Sequence, residues 1–496
     1  MVKCVMPHRL ILSLSALALA LAACTPGGQS SGPVAVSVIG DPGQLRAPAD
    51  NAMSAAGKLA LETTARGLVS FDASGEITPA LAQRWIVEDD GRSYIFRLRR
   101  ARWADGDPVT AADVAARLRE RVASNLRLDP MGDLSSITDI VAMTGEVVEL
   151  RLSSPRPSLL QYLAQPQMGL FRKTGGSGPF RRSWSGKAML LTPLVDVLPD
   201  PDDGPSAPLP AGAKRFVRAE SGAMAVARFA LGHSTLVLGG RYQDFPLLAA
   251  SGVDRSAVRV DPVQGLFGLA VTGDTPLLQD VAVREALSMA IDRDRLAGQF
   301  RIGNWAATAS IVPQQLAMSR AAAQPRWMSL TPSDRRAFAR TAVAKWVAAN
   351  GPAPTLRIAL PPGTGSRLLF ILIANDLRSI GLSAQMVAPN APADLVLIDE
   401  VAAYDSPFWY LGRIGCSRGI LCSADAEARL REAAAEPDRD IRAQKLAEAE
   451  VLALGFGGFI PIATPLRWSL VSRQLTGFTS NARARHPLNE LVRDPT

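Results

Sequence analysis

The sequence predicts a multidomain α/β protein, and three observations carry that expectation. The chain has 496 residues, well beyond the roughly 150 of an ordinary domain, so about three domains are expected. Hydrophobic residues make up 47% and charged residues 20%, a globular composition with ample core that excludes a disordered chain or a multi-span membrane chain. Short β-type runs also alternate with capped helical stretches, most plainly between Leu356 and Ile398, which is the order of βαβ units.

The elements follow in chain order. Met1 to Ala23 holds Lys3 and Arg9, then the apolar run Leu10 to Leu21, and ends Leu21-Ala22-Ala23 before Cys24. That is the layout of an export signal, too short to be a convincing span. Thr25 to Pro33, rich in Gly, Ser and Pro, suits a flexible tether, and Val34 to Ile39 reads as the first strand. Between Trp85 and Leu98 a hairpin is expected about Asp89-Asp90-Gly91, with Tyr94, Phe96 and Leu98 on its buried face. Thr110, with Asp113 three places on, caps a helix over 111–123 whose Val114, Leu118 and Val122 recur at helical spacing. Leu190 to Gly212, crowded with Pro, Asp and Gly, is expected to be a surface connection. Asp280 caps a helix over Val281 to Ile291, burying Val283, Leu287, Ala290 and Ile291, and Asp292 opens another. Leu356 to Leu360, Leu368 to Ile380 and Leu395 to Ile398 read as strand, helix, strand; Ala424 to Leu454 is helical with a break at Pro437.

The formal charge of +8 becomes +6 once Lys3 and Arg9 leave with the signal. The basic residues are scattered among acids, and no nucleic-acid module accompanies them. Of four cysteines, Cys4 leaves with the signal and Cys24 follows it, which leaves Cys416 and Cys422. In an oxidising compartment a disulfide between them is expected, two buried thiols being the alternative. His233 and His486 are the histidines of the mature chain, and neither has a metal-ligand spacing or a triad context, so no catalytic residue, metal site or cofactor is assigned. Gly175-Gly176-Ser177-Gly178 lacks the Lys and Ser/Thr of a phosphate loop.

Several stretches together carry a resemblance. Gly67-Leu68-Val69-Ser70-Phe71-Asp72 is followed by Pro79-Ala80-Leu81-Ala82 and Trp85. Then come Tyr94-Ile95-Phe96-Arg97-Leu98-Arg99, Trp103-Ala104-Asp105-Gly106-Asp107-Pro108-Val109-Thr110-Ala111-Ala112-Asp113-Val114, and the helix Asp280 to Arg293. They resemble, in order, the signature of the extracellular solute-binding family that includes oligopeptide, dipeptide and nickel receptors of ABC importers. The resemblance implies a two-lobed α/β periplasmic binding protein, type II-like, with the ligand cleft between the lobes and an extra α/β domain attached to the first lobe. The implied layout places lobe one at 34–66, 174–262 and 469–496, the extra domain at 67–173 and lobe two at 263–468, after a signal at 1–23 and a tether at 24–33. It also implies a monomer that is not an enzyme, and that captures a peptide or other small solute by hinge closure and delivers it to a permease and ATPase complex. A sensor or assembly role on the same fold, or a chelated-nickel ligand, is the alternative. Cys24 after Leu-Ala-Ala resembles a lipobox, which implies a periplasmic protein anchored by lipid to the outer membrane or the outer face of the cell membrane.

Peptide receptors of that family hold the ligand's amino group with an Asp in a segment matching Asp399 to Leu411, and Ala403 falls where that Asp belongs. Glu400, Tyr404, Asp405 and Trp409 are therefore expected to line the cleft and meet a cationic part of the ligand; a solvated loop with Trp409 in the core is the alternative. Trp305 is a candidate stacking surface at the cleft, or else a core residue.

Overall fold

Three β-sheets organise the chain, in a computed structural model that describes residues 32–47, 54–173, 175–194, 211–303, 305–316 and 323–493. The signal-like segment, Cys4, Cys24 and nearly all of the tether lie outside the described residues. No helix among the described residues is long and apolar enough to cross a membrane.

The seven-stranded sheet runs in the order Phe180–Ser185, Ala188–Pro193, Arg215–Glu220, Val34–Ile39, Leu236–Gly240, Trp468–Val471, Val258–Val260. Val34–Ile39 pairs in parallel with both neighbours, and Val34, Val36 and Val38 are buried, as its apolar run requires. The five-stranded sheet runs Ala384–Val387, Leu356–Ala359, Leu395–Val401, Gly265–Val271, Phe459–Ala463. The four-stranded antiparallel sheet runs Ala82–Glu88, Ser93–Leu98, Val147–Leu152, Ile137–Thr144. In it Trp85 pairs with Phe96 across the expected hairpin, whose turn residues Asp89 and Asp90 both take positive φ. Thr110 caps the adjoining helix Ala111–Leu126, accepting the Asp113 N–H at 3.2 Å.

Two expectations need correction. Leu190 to Pro193 is not connection: Ala188–Pro193 is a strand, because Ala188, Met189 and Leu191 face the core before the Pro- and Asp-rich stretch begins. The crossover from Leu356–Ala359 runs through the helix Thr364–Ser379 to Ala384–Val387, and only then does the chain reach Leu395–Val401. Ala384–Val387 is an edge strand without a fully buried residue, so it has no apolar run to announce it.

The chain passes between the first two sheets at 261–264 and again at 464–467, so those sheets are joined by two short strands of backbone. At the second crossing Trp468 packs on Gly240 so closely that a Cβ there would lie 2.2 Å from the indole ring. The core of the four-stranded unit is continuous with Ala402, Tyr404 and Phe408–Leu411, so this unit braces the second sheet's helices as well as adjoining the first.

Candidate functional site

Where the three units meet there is a cavity with about 180 Å³ open to the centres of water molecules. Lys58 reaches it from the helix Ala55–Thr64, whose N-terminus is fixed by the Ser54 side chain. Arg241 follows the strand Leu236–Gly240, and Asp129 and Tyr162 enter from the four-stranded unit. Further wall comes from Asp261, the stretches 467–469 and 483–486, the strand Leu395–Val401, the helix Pro407–Arg413 and the single turn Cys416–Arg418. That turn is closed by a Cys416–Cys422 disulfide, and the Cys416 N–H donates to Glu427 at 2.6 Å.

Glu400 and Trp409 line this cavity, together with Ala403. Tyr404 does not: it is fully buried, its ring tilted against that of Tyr162 and its hydroxyl donating to Asp129 Oδ2 at 3.0 Å. Asp405 is turned to the rim, where Arg483 and Gln161 hold its carboxylate and its N–H donates to Gln161 Oε1 at 2.7 Å. Trp305 belongs to the second unit's core, edge-on to Phe267 and Phe300, with its indole N–H donating to the Thr464 carbonyl at 2.7 Å. Removing three large rings and their one polar group from water together outweighs presenting one of them to a cleft.

The charges in the cavity wall do not form an acidic face. Glu400 is held by Arg413, Asp399 by Arg467 at 2.8 Å and Glu62 by Arg485 at 3.2 Å. Asp261 accepts from the Asn481 N–H at 3.0 Å and lies 3.2 Å from Nε2 of His486, whose ring stacks on Phe478. Asp129 is pushed upward by burial, against the hydrogen bond from Tyr404. Among the cations, Lys58 and Arg418 have no carboxylate partner among the described residues, and Arg241 lies no nearer than 3.9 Å to an Asp399 that Arg467 already holds. Burial, with Arg485 and Arg241 nearby, lowers the Lys58 ammonium to about 7. Sequence reasoning missed Lys58, Arg241, Arg413, Arg418 and Arg467. No motif frames them; the only available signal was that Arg413 and Arg418 follow closely on the segment already singled out.

Three α/β units thus surround a polar, partly enclosed cavity, and two of them are linked by a pair of crossings. Residues 76–186 match the family model described as bacterial extracellular solute-binding proteins, family 5, middle region. The periplasmic oligopeptide-binding protein OppA of Salmonella typhimurium is 23% identical over 269 residues, 47% of this chain and 48% of that one. A probable deoxycholate-binding periplasmic protein, YgiS of Escherichia coli, is 50% identical over 48 residues, 10% of this chain and 9% of that one. The matched stretches thus span about half the length of the first relative and a tenth of the second. The structure of Burkholderia pseudomallei OppA superposes with a TM-score of 0.77 at 18% identity, covering 93% of this chain and 99% of that one. Residues 76–186 thus carry the middle region of the family 5 solute-binding proteins, and the chain as a whole has the fold of the solved OppA structure. The relatives named here are binding proteins rather than enzymes.

Proposed function

We propose that this protein captures a small solute in the cavity and delivers it to the permease and ATPase of an ABC importer. The observation that carries the reading is the cavity itself, shared among three units, two of which the backbone joins at 261–264 and 464–467. Solute contacting both sides of such a cleft stabilises the closed arrangement, and a transporter can recognise that shape. No bond need be made or broken.

Peptides or related solutes are the ligand class this reading favours, in line with relatives named for oligopeptides and for deoxycholate. Cys24 would carry a lipid anchor that holds the receptor at the membrane surface outside the cytoplasm. The two lobes, the extra domain and their boundaries follow the layout implied by the sequence, and the protein acts as a monomer.

The test is to identify by mass spectrometry what co-purifies with the protein, and to follow melting temperature with di- to pentapeptides, since a ligand of the native state alone must raise it. Bound solute or a concentration-dependent rise supports the receptor reading. A protein that retains nothing and responds to nothing defeats it. Loss of radiolabelled palmitate from the Cys24→Ala variant is the expected result for the anchor; equal labelling would defeat that part.

A further inference from the structure

The cavity wall has an excess of cationic groups that the protein leaves uncompensated. Lys58 has no hydrogen-bond or ion-pair partner for its ammonium among the described residues, although it lies deep in the cleft. Among the described residues Arg418 touches one acceptor, the Gly412 carbonyl, at 3.5 Å, and its Nη2 and the Nε of Arg413 are buried with no acceptor. Arg241 completes the set, 3.9 Å from the already occupied Asp399. On the other side, Glu400, Glu62, Asp399 and Asp261 each hold a cationic or N–H partner, and Asp129 holds the Tyr404 hydroxyl. Among the described residues, Oδ2 of Asp399 is a buried carboxylate oxygen of the cavity wall without a hydrogen bond, and it faces Arg241.

Buried N–H donors are almost always satisfied, and an orphaned one in a native fold calls for an acceptor that is absent from the free protein. An uncompensated ammonium in a closing, low-dielectric cleft is costly for the same reason. A carboxylate answers both, because it can accept from a guanidinium fork and neutralise the neighbouring ammonium at once. A ligand ammonium would instead add to the like charge.

From this arrangement we infer that the solute is an anion, a carboxylate-bearing molecule with no uncompensated amine, held by the cavity-wall cations Arg418, Arg413, Lys58 and Arg241. This inference rests on the receptor reading above and specifies its ligand. It also gives a physical reason for Ala403 at the position where peptide receptors carry an Asp: with no amine to hold, that acid would only repel the ligand.

The experiment uses probes matched in size and opposite in charge. Glutarate is compared with cadaverine, and N-acetyl-trialanine with trialanine amide, by melting-temperature shift and titration calorimetry on the purified protein. The carboxylates are expected to bind and the amines not to. Arg418→Gln and Lys58→Met should each weaken the carboxylates at least tenfold, and Lys58→Met should do so without lowering the melting temperature of the free protein, a result that separates binding from folding. Amines that bind as tightly as the acids, or a co-purifying solute that carries net positive charge, would overturn the inference and leave the receptor reading standing. A protein that retains no co-purifying solute and responds to none of the probes would sink both.

Discussion

Arg467 and Asp399 pair at 2.8 Å exactly where the chain returns from the second sheet to the first, Arg467 on the crossing at 464–467 and Asp399 on the strand Leu395–Val401. Arg467 also donates to the Asp399 backbone carbonyl at 3.0 Å, so one guanidinium ties the crossing to the strand it leaves. Both side chains are nearly inaccessible, and cutting one partner strands a buried charge. Asp399→Asn is expected to lower unfolding free energy by about 3 kcal/mol in urea, and a loss below about 1 kcal/mol would mean that solvent reaches the pair.

Lys58→Met should raise stability. The ammonium is half-buried in the cavity and has no carboxylate partner among the described residues, and a methionine of similar reach removes that cost while keeping the packing of the stem. A gain of about 2 kcal/mol at pH 6 is expected by denaturant titration. A loss there would show that an unseen partner compensates the amine.

The same group gives binding a pH dependence. In the free protein Lys58 titrates at about 7 rather than its ordinary 10.5, so it is charged below pH 7 and neutral above it, with Arg485, Arg241 and Arg467 opposing its charge and Glu400 favouring it. A bound carboxylate raises that value. Affinity for glutarate is therefore expected to be level below pH 7 and to fall as pH rises above it, with proton uptake on binding at pH 8. For folding alone the sign is opposite: the unfolded chain keeps its proton up to about 10.5, so this group's cost is full below pH 7 and fades as pH rises from there. Calorimetry in buffers of differing ionisation enthalpy measures the uptake, and none at pH 8 would exclude Lys58 from the ligand site.

Glu400→Gln should tighten the binding of carboxylates. Glu400 is now the partner of Arg413, and losing its charge frees that guanidinium for the ligand. About a tenfold gain for glutarate, ~1.4 kcal/mol, is the expected outcome by calorimetry. Weaker binding would place Glu400 itself on the ligand.

Much of the scaffold was legible because it is local. Thr110, Asp280 and Asp292 cap the helices they were expected to cap, and the Asp89-Asp90-Gly91 turn forms the hairpin. These features depend on a few consecutive residues, and periodicity reports them. Ala384–Val387 was passed over because an edge strand with little burial carries no pattern. The cavity wall was harder still. Glu400 and Trp409 were singled out from a family segment, yet what Glu400 does depends on Arg413, and the charge of the cleft depends on residues as far apart as Lys58 and Arg418. Tyr404, expected at the cleft, and Trp305, for which the core was the alternative, both turn inward for one reason: an aromatic near a cleft in sequence is drawn to whichever neighbouring rings and acceptors bury it best.

Arg418 stands inside the short loop that the Cys416–Cys422 disulfide closes, and two other residues of that loop, Ile420 and Leu421, pack against the hydrophobic cores, with the Leu421 N–H donating to the Val271 carbonyl at 2.7 Å. A single crosslink therefore fastens a cation of the cavity wall and the end of a central strand together, so the cavity and the second sheet share one clasp.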